Sequence, residues 1–268
     1  MKPGRGTLQK AVNRADPGDR LELKSGGVYR GGVVITERLT IRGPKNGKTP
    51  VVDGRCREAF TILVLAGPVK LTRFSATGSS NDVAGQYGGA EVNFIEGGRG
   101  KATGLELEDG CGSHYGINVF DTGNVTAAGN LITGYDDAAV YVGGIREAGT
   151  VIDVHENVAL QNARGVLFED SLPQASLLAV DNLVSGNDVG TMSAGVYVRN
   201  TDGALVEGNV ADSNGLYGVW LDQNSDDNRL LGNSASGNGS SDLHNEGQRN
   251  CGAQNMFGSE AGNPLVPC

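Results

Sequence analysis

Aromatic residues are scarce in this chain, with one Trp, seven Tyr and six Phe among 268 residues. A core with so few rings must be thin and aliphatic, which argues against a bulky α/β globule. Long apolar runs are also missing. The longest, FTILVLAG from Phe60 to Gly67, falls far short of the ~20 residues needed to span a membrane, so no membrane partner is expected. The opening MKPGRG lacks the apolar stretch of a signal peptide. Basic residues are in deficit, 22 Lys and Arg against 31 Asp and Glu for a net charge of −9. No basic stripe is evident, and nucleic acid is therefore not an expected partner. The three His residues, His114, His155 and His244, are too scattered for a local zinc motif.

What the chain does have is glycine, 43 residues, roughly twice the usual share, and a recurring asparagine. Asn130, Asn157, Asn182, Asn209, Asn233 and Asn255 follow one another at 27, 25, 27, 24 and 22 residues, and Asn162, Asn187, Asn214 and Asn238 each lie five positions after one of them. A repeat of this length, holding only short β-like runs, cannot bury its own apolar side, whereas stacked copies can. Each repeat carries an apolar–x–apolar strand: Val92/Phe94, Ile117/Val119, Val140/Val142, Val166/Phe168, Val196/Val198 and Val219/Leu221. Period-two alternation turns these pairs inward and the residue between them outward. One outward column then reads Asn93, Asn118, Tyr141, Leu167, Tyr197, Trp220 and His244. The next reads Ile95, Phe120, Gly143, Glu169, Arg199, Asp222 and Glu246. Leu8, Val12 and Ala15 have helical spacing within Thr7–Ala15, predicting a helix that covers the open end of the stack.

These features resemble the right-handed parallel β-helix proteins of the pectate-lyase-like superfold. The resemblance is carried by TLQKAVNRADPGDRLEL near the N-terminus, the GNxxxxN turns and the GVxV strands, and it covers nearly the whole chain. It implies an all-β single domain over residues 1–268, with a cap at 1–20 and a C-terminal cap or tail at 246–268. It also implies binding of polysaccharide along a strand face. The cysteines favour a secreted protein, its leader absent from this sequence, and a monomer is expected. Cys251 and Cys268 bracket the tail and are expected to form a disulfide. Cys56 and Cys111 fall two rungs apart. At ~4.8 Å per rung, that exceeds the ~4.4–6.8 Å Cα separation a disulfide tolerates, and their pairing is left open.

The outward columns supply the candidate site. Asn93, Asn118, Tyr141, Trp220 and His244 are the expected substrate-binding residues, since sugar faces stack on rings. Lengthened turns in GGIREAG, EDSLPQAS, DVGTMSA and SATGSSNDVAGQYGG would wall a groove floored by Tyr141, Leu167, Glu169, Tyr197 and Arg199. Glu169, Arg199 and Asp222 occupy consecutive rungs, which places Arg199 between two carboxylates. Resemblance to uronate lyases implies Arg199 or Tyr197 as the base, with Glu169, Asp170 and Asp222 holding Ca²⁺ against the substrate carboxylate. An inverting hydrolase would use Glu169 and Asp222 as its carboxyl pair. A non-catalytic carbohydrate-binding or structural β-helix protein is the reading from another class. The string DVHEN around His155 is similar to the Asp-Pro-His-Glu signature of alginate C5-epimerases. However, Val154 replaces the Pro, and the register puts the string on a different strand from the outward groove.

Overall fold

The computed structural model describes residues 2–82 and 88–268. The chain winds into a right-handed parallel β-solenoid. Three long parallel sheets of eight, ten and eleven strands run along it, with a two-stranded sheet near the C-terminal end. Every strand pairs with its counterpart one turn away, as at Ile117↔Val140 and Phe168↔Val198.

The ten-stranded sheet carries the two outward columns, and its register matches the expected one. Asn93, Asn118, Tyr141, Leu167, Tyr197, Trp220 and His244 are successive pairing partners. Inside, the apolar pairs stack into a continuous core, with Val92, Phe94, Ile117, Val119, Val166 and Phe168 fully buried. Such ladders explain why so few rings suffice: each rung needs to fill only the narrow space between its three walls.

The rung bends share one device. The residue before each ladder Asn adopts a left-handed conformation: Gly129, Glu156, Asp181, Gly208, Gly232 and Gln254, with φ between 53° and 64°. The following Asn then turns inward, and its side chain donates Nδ2–H to the Oδ1 of the next Asn. These bonds measure 2.8 Å for Asn130–Asn157, 2.9 Å for Asn157–Asn182 and Asn182–Asn209, 3.0 Å for Asn209–Asn233 and 3.1 Å for Asn233–Asn255. A second ladder runs through Asn162, Asn187, Asn214 and Asn238. Buried amides that satisfy one another and the bend backbone fix the stacking register at little desolvation cost.

The N-terminal helix is shorter than expected, Thr7–Val12, but Leu8 is buried and Val12 and Ala15 pack on the core. Gln9 completes the cap. Its Nε2 donates to Val34 O at 3.1 Å and its Oε1 accepts from Val34 N at 2.6 Å, which covers an otherwise exposed sheet edge. The expected tail is not a loop, since strands Cys251–Ala253, Met256–Phe257, Glu260–Gly262 and Val266–Pro267 add a further turn.

Both disulfides form. Cys251–Cys268 has a Cα separation of 5.0 Å, and Cys56–Cys111 one of 5.5 Å. The second pair is two rungs apart in its sheet, but the pairing of Val51–Glu58 with Ser75–Ser79 shifts register between Asp53 and Glu58. There Arg55 and Cys56 are left-handed, at φ 66° and 54°. This bulge carries Cys56 off the rung and over its neighbour, a departure that an even rung spacing cannot anticipate.

Candidate functional site

A cleft of about 540 Å³ opens on the ten-stranded sheet, lined among others by Ile95, Glu96, Tyr115, Asn118, Phe120 and Tyr141. It lies nearer the N-terminus than the groove expected around Tyr197 and shares only Tyr141 with that predicted floor. The insertion SATGSSNDVAGQYGG lies partly outside the described residues, at 83–87. The GGIREAG and EDSLPQAS turns bond to each other, Gly149 N–H to Gln174 O at 3.1 Å and Leu172 N–H to Ile145 O at 2.9 Å. DVGTMSA is exposed for most of its length but does not line the cleft.

Asn93 and Asn118 form part of the sheet face under the cleft. Asn118 Nδ2 donates to Asn93 Oδ1 at 2.7 Å, and Nδ2 of Asn93 is buried with no partner among the described residues. The ring of Tyr141 lies flat towards Gly143, where a Cβ would fall 2.2 Å from the Tyr141 hydroxyl. Gly143 is the register partner of Glu169, whose charge acts on that hydroxyl, and Glu169 is ion-paired with Arg199. Three rungs thus contribute a continuous Tyr141–Glu169–Arg199 set beside the cleft. Burial and the Glu169 charge push the Tyr141 hydroxyl well above the ordinary phenol range, so it holds its proton. For Arg199, burial works to lower the guanidinium pKa, but Glu169 and the other acidic neighbours outweigh it and the net shift is upward. Arg199 stays charged, and about half of its side chain is exposed.

Arg199 is ion-paired with Glu169 but not, among the described residues, with Asp222, which acts on it only through its charge. The Asp222 carboxylate accepts from Asn224 N–H at 3.1 Å and Ser225 Oγ at 2.7 Å in its own bend and from Asn200 N–H at 3.0 Å on the neighbouring rung. Asp170 accepts from Asn200 Nδ2 at 2.6 Å. Glu169, Asp170 and Asp222 therefore do not converge. No group of three or more His, Cys, Asp or Glu able to hold a metal exists among the described residues. Nor are the two expected bases suited to that role: Arg199 is held charged, and Tyr197 is pushed up to about 12, chiefly by burial and next by Asp222.

The aromatic column largely satisfies itself. Tyr197 is buried and stacks on Trp220 at 4.0 Å between ring centroids. His244 stacks on Tyr217 at 4.5 Å, and Trp220 Nε1 donates to Glu246 at 3.3 Å. Tyr217 belongs to a third outward column that the sequence reading missed, Tyr115, Ala138, Arg164, Ala194 and Tyr217. Strict alternation would turn these residues inward. Here the following glycine faces the core instead: a Cβ on Gly116 would strike Ile132, on Gly165 Val184 and on Gly195 Ala211. The recurring Gly before each apolar pair was the available signal. Arg164 pairs with Asp137 and lies 5.8 Å from the Tyr197 ring centroid. His155 lies on the eleven-stranded sheet, paired with Asp153 at 2.9 Å, away from the cleft as its register predicts. His114 sits before Tyr115 and contacts Asp136 at 2.8 Å.

Among solved structures, the chain is similar in fold to the alginate lyase of Paenibacillus sp. str. FPU-7, with 15% identity, a TM-score of 0.54, and 100% and 97% of the two chains covered. A mannuronan C-5 epimerase A-module of Azotobacter vinelandii aligns at 15% identity and TM-score 0.45, over 97% of this chain and 91% of that one. A GH87 α-1,3-glucanase catalytic unit of Streptomyces thermodiastaticus aligns at 10% identity and TM-score 0.43, over 98% and 68%. At these identities the likeness is one of fold. No curated protein matches the chain. Residues 76–263 match the family described as periplasmic copper-binding protein (NosD). The residues present do not fit a copper centre: all four Cys are in disulfides, and His114, His155 and His244 each face a different acidic residue with no third donor among the described residues. The match spans well over half of the sequence, from the third rung to the last, and on that ground the chain belongs to the NosD family.

Proposed function

We propose that the protein is an extracytoplasmic carbohydrate-active β-helix protein that binds an acidic polysaccharide along the ten-stranded face and acts on it by uronate elimination or C5 epimerisation. The observation that carries this reading is the Tyr141–Glu169–Arg199 set at the edge of the cleft. A uronate carboxylate drawn to Arg199 competes for the guanidinium and frees Glu169 to accept the C5 proton. The charge that develops on the carboxylate is stabilised by Arg199. Tyr141 is held protonated and donates to the glycosidic oxygen in elimination; in epimerisation C5 is reprotonated by water from the face opposite Glu169, which returns its own proton to solvent. In elimination, proton transfer from Glu169 to the Tyr141 phenolate restores the pair afterwards. Two disulfides favour an oxidising compartment, in keeping with the periplasmic family description.

The inverting-hydrolase alternative is weaker, because Asp222 is committed to its bend and does not face Glu169 across a groove. The test is incubation with a panel of uronate polymers in D₂O, with and without Ca²⁺. Ultraviolet absorbance reports unsaturated ends and NMR reports deuterium at C5. Either signal supports the reading. Neither signal on any polymer rejects catalysis, and retention on a polymer-containing gel would then leave a non-catalytic binding protein.

A further inference from the structure

The first 75 residues contain 15 of the 22 Lys and Arg but only 6 of the 31 Asp and Glu. A chain that is acidic overall therefore has a basic N-terminal third, and a basic surface exists where the whole-chain charge suggested none. Two of these cations, Arg38 and Lys70, meet Arg99 and Lys101 at the eleven-stranded sheet, away from the Tyr141 cleft. Thr40, Lys70, Lys101 and Thr126 are successive partners in one outward column. With Arg38 and Arg99 they line a trough of about 820 Å³ to which no acidic residue contributes among the described residues. All four cations are exposed. None makes an ion pair with a carboxylate among the described residues, in contrast to Arg42, Arg164, Arg199 and Arg249.

Two details point to a built site. Lys70 and Lys101 sit one rung apart, ~4.8 Å along the stack, and like charges at that spacing repel unless an anion lies over them. Gly18, at φ +100°, occupies a place where a Cβ would fall 2.9 Å from Arg38 Nη2, and Arg38 Nη2 donates to Pro17 O at 3.5 Å. The glycine leaves room for the guanidinium at the trough wall.

We propose that this trough binds a linear anionic polysaccharide, carboxylated or sulfated, at a subsite distinct from the Tyr141–Glu169–Arg199 face and independent of whether that face is catalytic. The trough is one column wide and its charges repeat with the rungs, which suits a single extended chain bearing one anionic group per sugar. No aromatic residue lines it, so it lacks the stacking platform that single-stranded nucleic acid uses. The acidic remainder of the rod disfavours a long, densely charged duplex.

The experiment is affinity electrophoresis of the whole protein through gels containing polygalacturonate, the carboxylated probe, or dextran sulfate, the sulfated one. Wild type is compared with Lys70→Ser/Lys101→Ser and with Arg199→Ala. Wild type should be retarded by at least one polymer at low salt and released at high salt. The double variant should bind about tenfold more weakly with an unchanged melting temperature. Arg199→Ala should keep the part of the retardation that Lys70→Ser/Lys101→Ser removes, whether or not the protein turns over any polymer. Four results would each overturn the proposal: no retardation of wild type, equal retardation of the double variant, loss of retardation only in Arg199→Ala, or tighter binding of DNA than of either polysaccharide. So would salt-sensitive self-association abolished by the double variant, which would make a second copy the occupant.

Discussion

The hydroxyl of Tyr141 lies over the bare backbone of Gly143, the register partner of Glu169, in the space that a Cβ there would fill. The missing side chain of one residue thus sets the direction of the other. Gly143 has an ordinary backbone conformation, so Gly143→Ala should fold normally and displace only the ring. Both Gly143→Ala and Tyr141→Phe should lower turnover of the responsive polymer by about 10²-fold, the usual scale for losing a positioned proton donor. Melting temperatures should stay close to wild type. Steady-state rates alongside thermal melts check this, and unchanged rates in both variants would remove Tyr141 from the chemistry.

Glu91 is predicted to make stability fall as pH rises. It points into the core at the position that Gly116, Gly165 and Gly195 fill in later rungs, and it is fully buried. Burial pushes its carboxyl from 4.5 to about 7, partly offset by hydrogen bonds from Thr61 and Ser79. Below pH 4.5 both folded and unfolded chains carry the proton, and Glu91 contributes no pH dependence. Between about 4.5 and 7 the unfolded chain releases it while the folded chain retains it, so stability is lost progressively, by roughly 3 kcal/mol in all. Above about 7 the loss is complete. Glu91→Gln should remove this component and stabilise the protein at pH 8, since Thr61 Oγ1 also donates to Thr77 O and can accept from the new amide. Denaturation of both proteins from pH 4 to 8 tests it; parallel curves would contradict the assignment.

The asparagine ladder should be strongest in its middle. Asn209 is fully buried, accepts from Asn182 N–H and Nδ2, and donates to Ala179 O and Asn233 Oδ1. Asn209→Ala leaves several buried groups unpaired and should cost roughly 3–5 kcal/mol. Asn255 closes the ladder at a partly exposed position, where water can substitute, and Asn255→Ala should cost only about 1 kcal/mol. Chemical denaturation curves would show the difference, and equal losses would mean the ladder is not cooperative.

Replacing both Cys56 and Cys111 by Ser should destabilise the protein more than replacing Cys251 and Cys268. The first pair closes 55 residues and the second 17, which on chain entropy corresponds to about 4 and about 3 kcal/mol. Loss of the second should also fray the last turn locally, seen as faster amide exchange in Cys251–Ala253.

The fold was legible because the Asn spacing and the apolar pairs report the same period, and the register they imply matches the observed pairing from Asn93 to His244. The site was less so. Tyr115, Arg164 and Tyr217 face outward only because the residue after each is a glycine turned into the core, which breaks the two-residue alternation. Asp222 follows the expected column by position, but its carboxylate is taken by two donors in its own bend and one on the neighbouring rung, and sequence spacing does not report that competition. The basic trough was visible in the sequence, but a whole-chain charge of −9 averages it away.

The central claim is that Arg199, Glu169 and Tyr141 work together on a uronate ring. Its most direct test is the rate of product formation in D₂O, read as unsaturated ends and as deuterium at C5, on whichever uronate polymer wild type processes, repeated with Arg199→Ala and Glu169→Gln. The account predicts one of the two signals in wild type and a drop of that signal of at least about 10²-fold in each variant, with the salt-sensitive retention conferred by Lys70 and Lys101 preserved. The same signal at the wild-type rate in both variants would contradict it.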